Sequence, residues 1–356
     1  MSRIVIKVGS NVLTRSDGRL DSTRMSAIVD QIAALREKGY QVILVSSGAV
    51  ASGKDELKTE KALDSVARRQ LFSSVGQVRL MNRYYNLFRE YGIHIGQVLT
   101  MKENFSSRTQ YLNQRGCMEV MLDNGVLPIV NENDTASLTE LMFTDNDELS
   151  GLIASMMDAT TLIILSNIDG IYNGSPKDPA STVIPEIGEN DDLGSFITAE
   201  KSGFGRGGMI TKCRIARKVA SEGIRVIIAN GRKDNILLDL LLHPDSTVHT
   251  EFTPSEEKVS TIKKWIAHSD SFSKGVITLN DKAVRAVRGE KAVSILPVGV
   301  TAVEGDFEEG DIVTIADAAG KAIGVGRVAY GSDEARAGIG VHDMKPIVHY
   351  DYLYLE

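Results

Sequence analysis

The sequence has few of the features that mark oxidised, metal-binding or membrane-embedded proteins. It contains two cysteines, Cys117 and Cys213, without a CxxC pair, which predicts a reduced compartment and hence a cytoplasmic protein. Its six histidines lack the spacing of metal ligands, so we expect no metal held by protein side chains alone. No apolar run approaches the length of a membrane-spanning helix, and the first residues lack a signal-peptide pattern.

A positive charge excess is also missing. The chain has 40 Lys and Arg against 47 Asp and Glu, a formal net charge of −7. Because contacts to nucleic-acid phosphates need Lys and Arg, this charge argues against broad, non-specific nucleic-acid binding. Local basic patches are still compatible with it.

Up to about residue 252, short apolar runs alternate with amphipathic stretches. Residues 22–38 and 211–221 have apolar side chains at helical spacing. The strand-like runs, rich in Ile and Val, are residues 4–8, 42–45, 95–99, 126–130, 162–165 and 226–229. This alternation predicts an α/β fold with a mostly parallel sheet sandwiched by helices.

The pattern changes after residue 252. Residues 253–271 have the mixed composition of a linker, and residues 272–356 alternate short strands with glycine-containing turns. Strands are predicted at residues 275–279, 292–296, 311–316 and 322–328. We therefore predict three segments: a catalytic domain over 1–252, a linker over 253–271 and a small β-rich domain over 272–356. The last has thirteen acidic against nine basic residues.

The most informative stretch is residues 205–212, which read GRGGMITK before a periodic helix. Glycines let consecutive N–H groups turn into one small space, and a helix N-terminus adds partial positive charge. Lys212 adds a full charge on the first turn. The pattern predicts a polyphosphate site, and the alternative is a flexible loop with a solvated lysine.

Lys7 lies within an apolar strand and is followed by Gly9. Such a lysine either reaches solvent at the strand edge or points at a ligand beyond the strand end. Considered together with Lys212, the second interpretation is favoured. Two lysines can neutralise charge on both sides of a phosphoryl group in transfer, a reaction that depends mainly on positioning and charge neutralisation.

Three polar loops follow strands or open helices, at residues 46–49, 131–134 and 144–147. In a parallel sheet such loops meet at the carboxyl ends of the strands, where ligands bind. Asp145 to Asp147 are compatible with helix capping, but capping needs one residue and a surplus carboxylate can orient lysines or hold Mg²⁺ through water. Acceptors in 131–134 suit an ammonium group, and Ser47 with Gly48 N–H suits a carboxylate. Together the loops predict a small zwitterionic phosphoryl acceptor.

Two further segments have competing interpretations. Residues 48–55 nearly match the GxxxxGK[ST] motif, but Asp55 stands where the motif needs a hydroxyl, so we reject a P-loop there. Residues 175–205 are polar and turn-rich, and either cover the site or mediate contacts.

The chain resembles the amino acid kinase superfamily, and within it the bacterial glutamate 5-kinases, in the order and spacing of residues 6–10, 45–50, 91–97, 129–134, 145–147, 205–212 and 264–266. Residues 275–279 and 294–300 look like the PUA domain that such kinases often carry. The resemblance implies phosphorylation of L-glutamate by ATP to glutamyl 5-phosphate, the first step towards proline. It also implies Mg²⁺ with ATP, feedback inhibition by proline and a homo-oligomer, dimer or tetramer.

Carried over position by position, the resemblance implies that Lys7 and Lys212 stabilise the transferred phosphoryl group and that Asp147 holds both lysines. The implied glutamate-binding residues are Ser47, Gly48, Asn131, Asp134, Asp145 and Asn146. The implied ATP-binding residues are Lys7, Ser166, Asn167, Arg206, Gly207, Gly208, Met209, Ile210, Thr211 and Lys212. Ser166-Asn167 stands where the family often has Thr-Asp, and Arg206 replaces a frequent Thr, so the adenine and ribose contacts are open.

Two other functions compete with this one. The same fold could phosphorylate aspartate, N-acetylglutamate, carbamate or a nucleoside monophosphate. Alternatively the PUA-like domain could bind RNA, with the kinase domain secondary, although the acidic excess of that domain argues against it. A regulatory or assembly role is the default for the PUA-like domain.

Overall fold

The computed structural model describes residues 2–58, 62–105, 108–136, 146–176, 178–189, 191, 209–256, 266, 273–289 and 293–355. The chain separates into two compact units, residues 1–102 with 114–258, and residues 103–113 with 259–356. The boundaries of the predicted linker stay a prediction, since most of residues 253–271 lie outside the described part. None of the helices in the described ranges is long and apolar enough to cross a bilayer.

The first unit is built on an eight-stranded sheet with the order β3-β4-β2-β1-β5-β7-β8-β6. The six strands from β3 to β7 in this order are all parallel, and β8 runs antiparallel to β7. The strands are β1 Arg3–Val8, β2 Gln41–Ser46, β3 Ile95–Thr100, β4 Leu127–Glu132, β5 Thr161–Ser166, β6 Glu186–Ile187, β7 Arg225–Asn230 and β8 Thr250–Phe252. The predicted mostly parallel α/β sheet is confirmed, and five strands of the parallel part are almost fully buried, as such sheets require.

The helices that pack on this sheet are α1 Ser10–Leu13, α2 Ser22–Glu37, α4 Ser65–Arg89, α6 Asn146–Met156 and α7 Met209–Ser221. The other helices described up to residue 256 are α3 Ala49–Glu56, α5 Arg108–Asp123 and α8 Ile236–Leu242. Helix α2 begins where Asp21 accepts a hydrogen bond from the Arg24 N–H, and α4 begins in the same way at Asp64. The helix predicted over 211–221 begins two residues earlier than expected.

Helices α3 and α4 approach each other closely because both carry a glycine at the contact. A Cβ on Gly76 would lie 1.8 Å from the Ala49 carbonyl oxygen, and one on Gly53 would lie within 2 Å of the Phe72 carbonyl oxygen (1.9 Å). Only glycine fits at both positions. The segment that nearly matched a P-loop forms α3, and Asp55 there pairs with Arg19 and Arg79.

The second unit contains a five-stranded sheet with the order β10-β9-β11-β12-β13 around its own apolar core. Its elements are β9 Gly275–Leu279, α9 Asp281–Val287, β10 Val300–Gly305, β11 Ile312–Ala316, β12 Ala322–Val328, α10 Ser332–Ala337 and β13 Val348–Leu355. Three predicted strands are present, but the prediction of a strand over 292–296 is wrong. Within the described part, Ile295 forms a single bridge to Val348. Pro297, which cannot donate a ladder hydrogen bond, then starts a 3₁₀ turn.

Candidate functional site

Two lysines from distant parts of the sequence converge on one carboxylate. Lys7 Nζ lies 2.5 Å from Asp147 Oδ1, and Lys212 Nζ lies 2.5 Å from Asp147 Oδ2. The Asp147 side chain is fully buried, while the lysine side chains keep 7% and 14% of their surface exposed. Two ammonium groups are therefore paired with the two oxygens of one buried carboxylate.

The fold explains this convergence. Lys7 is the penultimate residue of β1, which lies between β2 and β5 in the sheet. Asp147 and Lys212 lie in the first turns of α6 and α7. Because helix N-termini carry partial positive charge, both helix starts reinforce the lysines. The region is well suited to a ligand with several negative charges.

Asp147 stays ionised because of its partners. Burial alone would raise the pKa of its carboxyl group, but the charges of Lys7 and Lys212 and the hydrogen bonds from both lysines outweigh burial and lower the pKa below its usual range. Both carboxylate oxygens are occupied by ammonium groups. Asp147 is therefore an organiser of the two cations and not a proton acceptor near neutral pH.

Asn146, the residue before Asp147, joins two of the predicted acceptor loops. Its Nδ2 group donates to Ser47 Oγ at 2.9 Å and to Asn131 Oδ1 at 3.0 Å. The buried Asn131 amide in turn donates to Gln77 Oε1 at 2.9 Å. The structure thus brings Ser47, Asn131 and Asn146 together directly beside the lysine pair. Gln77, on α4, was not identified from the sequence.

The Ser47-Gly48 turn is fixed against β1. The Ser47 N–H donates to the Val8 carbonyl oxygen at 3.1 Å, and Gly48 has a φ of 110°, in the region that favours glycine. Gly48 immediately precedes α3. Its neighbours therefore place Ser47 and the start of a helix near the carboxyl end of β1.

The predicted glutamate-binding residue Asp134 is already paired with an arginine. It lies at the end of β4 with the other acceptor residues, but its carboxylate is paired with Arg69, whose Nε donates to Asp134 Oδ1 at 2.7 Å. Arg69 was not predicted as a site residue. On α4 it follows Arg68, and two adjacent arginines on an exposed helix give no signal that one of them reaches inward.

Ser166 and Asn167, predicted to contact the nucleotide, lie at the end of β5, on the opposite side of β1 from β2 and β4. Ser166 ends β5, and its hydroxyl donates to Asn167 Oδ1 at a long distance of 3.5 Å. Met209, Ile210 and Thr211 form the first turn of α7 ahead of Lys212, and Ile210 is exposed. These positions line the same carboxyl edge of the sheet.

A polar cluster at this edge was missed in the sequence. Asn230 Nδ2 donates to Asp169 Oδ1 at 2.9 Å, and Lys233 Nζ lies 3.0 Å from the same oxygen. Asn230 ends β7, next to β5. The available signal was a polar residue, Asn230, directly after an apolar strand, as in the loop after β4.

Four predicted site residues lie outside the described part of the chain: Asp145, Arg206, Gly207 and Gly208. The glycine-rich turn is therefore known here only through the helix that follows it. Among the described residues no cluster of three or more His, Cys, Asp and Glu could hold a metal ion.

Comparison with known proteins supplies independent information. A model of the amino acid kinase family matches residues 2–230, and a model of the PUA domain matches residues 275–347. The chain is 66% identical to glutamate 5-kinase of Bacteroides thetaiotaomicron, with 100% of this chain and 99% of the relative covered. It is 44% identical to glutamate 5-kinase of Chlorobaculum tepidum, with 99% of this chain and 97% of the relative covered.

Among solved structures, the chain is similar to carbamate kinase from Giardia lamblia bound to AMP-PNP, with 71% of this chain and 99% of that chain covered. The TM-score is 0.52 at 17% sequence identity. At this identity the likeness shows the fold alone. The family and PUA resemblances inferred from the sequence are confirmed.

Proposed function

Because the chain belongs to the amino acid kinase family, and within it to the glutamate 5-kinases, we propose that it transfers the γ-phosphoryl group of ATP to the side-chain carboxylate of L-glutamate. The products are glutamyl 5-phosphate and ADP. The observation that carries this proposal is the convergence of Lys7 and Lys212 on the buried Asp147 carboxylate.

The lysine pair supplies what phosphoryl transfer needs. In the step, an oxygen of the glutamate side-chain carboxylate forms a bond to the γ-phosphorus, and the bond from that phosphorus to the β,γ-bridging oxygen breaks. Negative charge spreads over the oxygens of the migrating group and the departing ADP. We propose that Lys7 and Lys212 face this group from two sides, and their shared ion pairs with Asp147 support a role of Asp147 in keeping both in position.

No residue has to remove a proton from the acceptor. A glutamate side chain has a pKa of about 4.3, so its carboxylate is ionised at neutral pH. This agrees with Asp147, whose lowered pKa and two ammonium partners make it unsuitable as a base. The reaction therefore depends on placement and charge.

Mg²⁺ is expected to arrive with ATP. Both oxygens of Asp147 are engaged by lysines, so the phosphates of the nucleotide are the natural ligands for the ion in this region. Bound there, Mg²⁺ neutralises phosphate charge. Ser166, Asn167 and the start of α7 are the proposed nucleotide contacts.

The acceptor site is assigned to the loops that lie on the opposite side of β1 from the proposed nucleotide contacts. Ser47, Gly48, Asn131 and Asn146 lie together there, and the network through Asn146 fixes their geometry. Asp134, with Asp145 from outside the described residues, completes the proposed glutamate site. Donors near Ser47 suit the carboxylate groups, and the carboxylates after β4 suit the ammonium group.

The test is ADP release from ATP and Mg²⁺ in the presence of one candidate acceptor at a time: glutamate, aspartate, N-acetylglutamate, carbamate or UMP. We expect release only with glutamate. Lys212→Met should lower kcat by about a hundredfold or more, as the loss of a group that stabilises transition-state charge does.

Arg214→Met is the matched control, because Arg214 is exposed on the same helix. It should behave as the wild type. Equal rates with another acceptor, or a Lys212→Met variant as active as Arg214→Met, would contradict the proposal.

Four finer assignments accompany it. Proline, which shares the α-carboxylate and ammonium character of glutamate, is proposed as a feedback inhibitor, and its addition should suppress glutamate-dependent ADP release.

A homo-oligomer is proposed because Val78 and Tyr85 of α4 and Leu99 of strand β3, at the sheet edge, expose 63%, 52% and 40% of their surfaces. Light scattering on the purified protein tests this. Cytoplasmic localisation and a regulatory or assembly role for the PUA domain remain proposals.

A further inference from the structure

Helix α4 is attached to the loop after β4 near its start. Arg69 Nε donates to Asp134 Oδ1 at 2.7 Å, and Arg69 Nη2 donates to Glu132 Oε2 at 2.8 Å. The next residue, Gln70, donates from its amide to the Thr135 carbonyl oxygen at 3.1 Å. Two turns further along α4, Gln77 accepts the hydrogen bond from the Asn131 amide. One helix therefore supports four positions on either side of Asn133, namely Asn131, Glu132, Asp134 and Thr135.

The Arg69 contacts are the strongest of these supports. The side chains of Glu132 and Asp134 are only 3% and 8% exposed, and Arg69 is 25% exposed. Two neighbouring carboxylates repel each other, and burial increases the cost of both charges. A guanidinium group has the planar geometry to bind two carboxylates at once and retains its charge at any accessible pH.

We infer that Arg69 is a positioning residue of the acceptor site. It holds the Asp134 carboxylate in the place where this group binds the ammonium group of an α-amino acid. The inference rests on the proposed function, because it takes glutamate as the acceptor. Arg69 acts through Asp134 and has no contact with the reacting phosphoryl group in this account.

The first test is Arg69→Met, which keeps the length and apolar stem of the side chain but removes the guanidinium. We expect the KM for glutamate to rise at least tenfold, with kcat and the KM for ATP changing less than threefold. A tenfold rise is the size of effect expected from losing a charge-assisted hydrogen bond. An unchanged glutamate KM overturns the inference. So does a parallel loss in kcat and both KM values, which indicates general structural damage.

Arg68→Met is the matched control. Arg68 is the preceding residue of α4, is exposed, and donates to the Leu63 carbonyl oxygen. It should leave all three kinetic constants unchanged. If Arg69→Met does not fold by circular dichroism, Arg69→Lys decides the question. This variant keeps a charge but loses the two-carboxylate geometry, so a rise of threefold or more in the glutamate KM supports the inference and no rise overturns it.

A double-mutant cycle tests whether Arg69 works through Asp134. Asp134→Asn alone should raise the glutamate KM, and adding Arg69→Met to that variant should change it by less than a further threefold. If the two substitutions raise the glutamate KM independently, so that their effects multiply, the proposal that Arg69 acts through Asp134 is overturned. The wild-type assay separates the two levels: a wild type without glutamate-dependent ADP release overturns the proposed function, whereas an active wild type with insensitive Arg69 variants overturns only this inference.

Discussion

Replacing Asp147 with asparagine tests the lysine pair most severely, because it removes a charge while preserving the shape of the side chain. Asp147 is fully buried and bonded to Lys7 and Lys212 at 2.5 Å each. Removing one partner of a buried ion pair typically costs about 3–5 kcal/mol, since a charge is left uncompensated. Here two ammonium groups lose their shared carboxylate. We therefore expect the unfolding free energy of the first unit to fall by about 3 kcal/mol or more.

This loss of unfolding free energy predicts a lower melting temperature. For a domain of this size each kcal/mol corresponds to a change of roughly 2–4 °C in melting temperature, so Asp147→Asn should melt about 6–12 °C below the wild type. Addition of Mg²⁺ and a non-hydrolysable ATP analogue should then raise the melting temperature of the variant more than that of the wild type. The reason is that the phosphates supply the negative charge that the two lysines lack.

The same variant should lose about a hundredfold or more in kcat, because neither lysine is held in place. Differential scanning fluorimetry with and without nucleotide, together with ADP release, measures all three effects. A variant with wild-type melting temperature and turnover would refute the reasoning that Asp147 organises the two cations. A nucleotide-induced shift smaller than in the wild type would refute the charge argument specifically.

Two further predictions concern packing and pH. Gly76→Ala should destabilise the protein by about 1–3 kcal/mol in chemical denaturation, because its Cβ would overlap the Ala49 carbonyl oxygen. Gly116→Ala, in a helix with open space at that position, should be neutral or slightly stabilising. The Glu251 carboxylate, whose Oε2 lies 3.8 Å from His249 Nε2, raises the pKa of His249 despite its burial. The contribution of protonated His249 to the stability of the folded protein is therefore complete below the unfolded pKa of about 6.5. It is lost as the pH rises through the folded pKa. The free-energy difference between wild type and His249→Gln should shrink between pH 6 and pH 9, by less than about 1 kcal/mol, and a difference that grows instead would contradict this sign.

The strands of the parallel sheet could be predicted because burial on both faces leaves a continuous apolar run in the sequence. The second unit was harder. Its strands are partly exposed, so β10, which carries Glu304, and β13 have no strong apolar pattern, and both were missed. Residues 292–296 are as apolar as a strand, but the following Pro297 limits pairing.

The lysine pair could be anticipated because each lysine stands in an unusual local context: Lys7 within an apolar strand and Lys212 after a glycine-rich turn. Arg69 and Gln77 could not. Both are polar residues on a long amphipathic helix, where such residues are normally solvated. What distinguishes them is the tertiary placement of α4 against β4, which depends on the close glycine contact with α3 and leaves no local signal.

The most direct test of the central claim is to trap the acyl phosphate. Glutamyl phosphate reacts with hydroxylamine to give a hydroxamate, so the wild type incubated with ATP, Mg²⁺, glutamate and hydroxylamine should form hydroxamate in equal amount to ADP. Lys7→Met and Lys212→Met should each reduce both products by about a hundredfold or more. ADP release without hydroxamate, or hydroxamate formation that survives the loss of either lysine, would contradict the account.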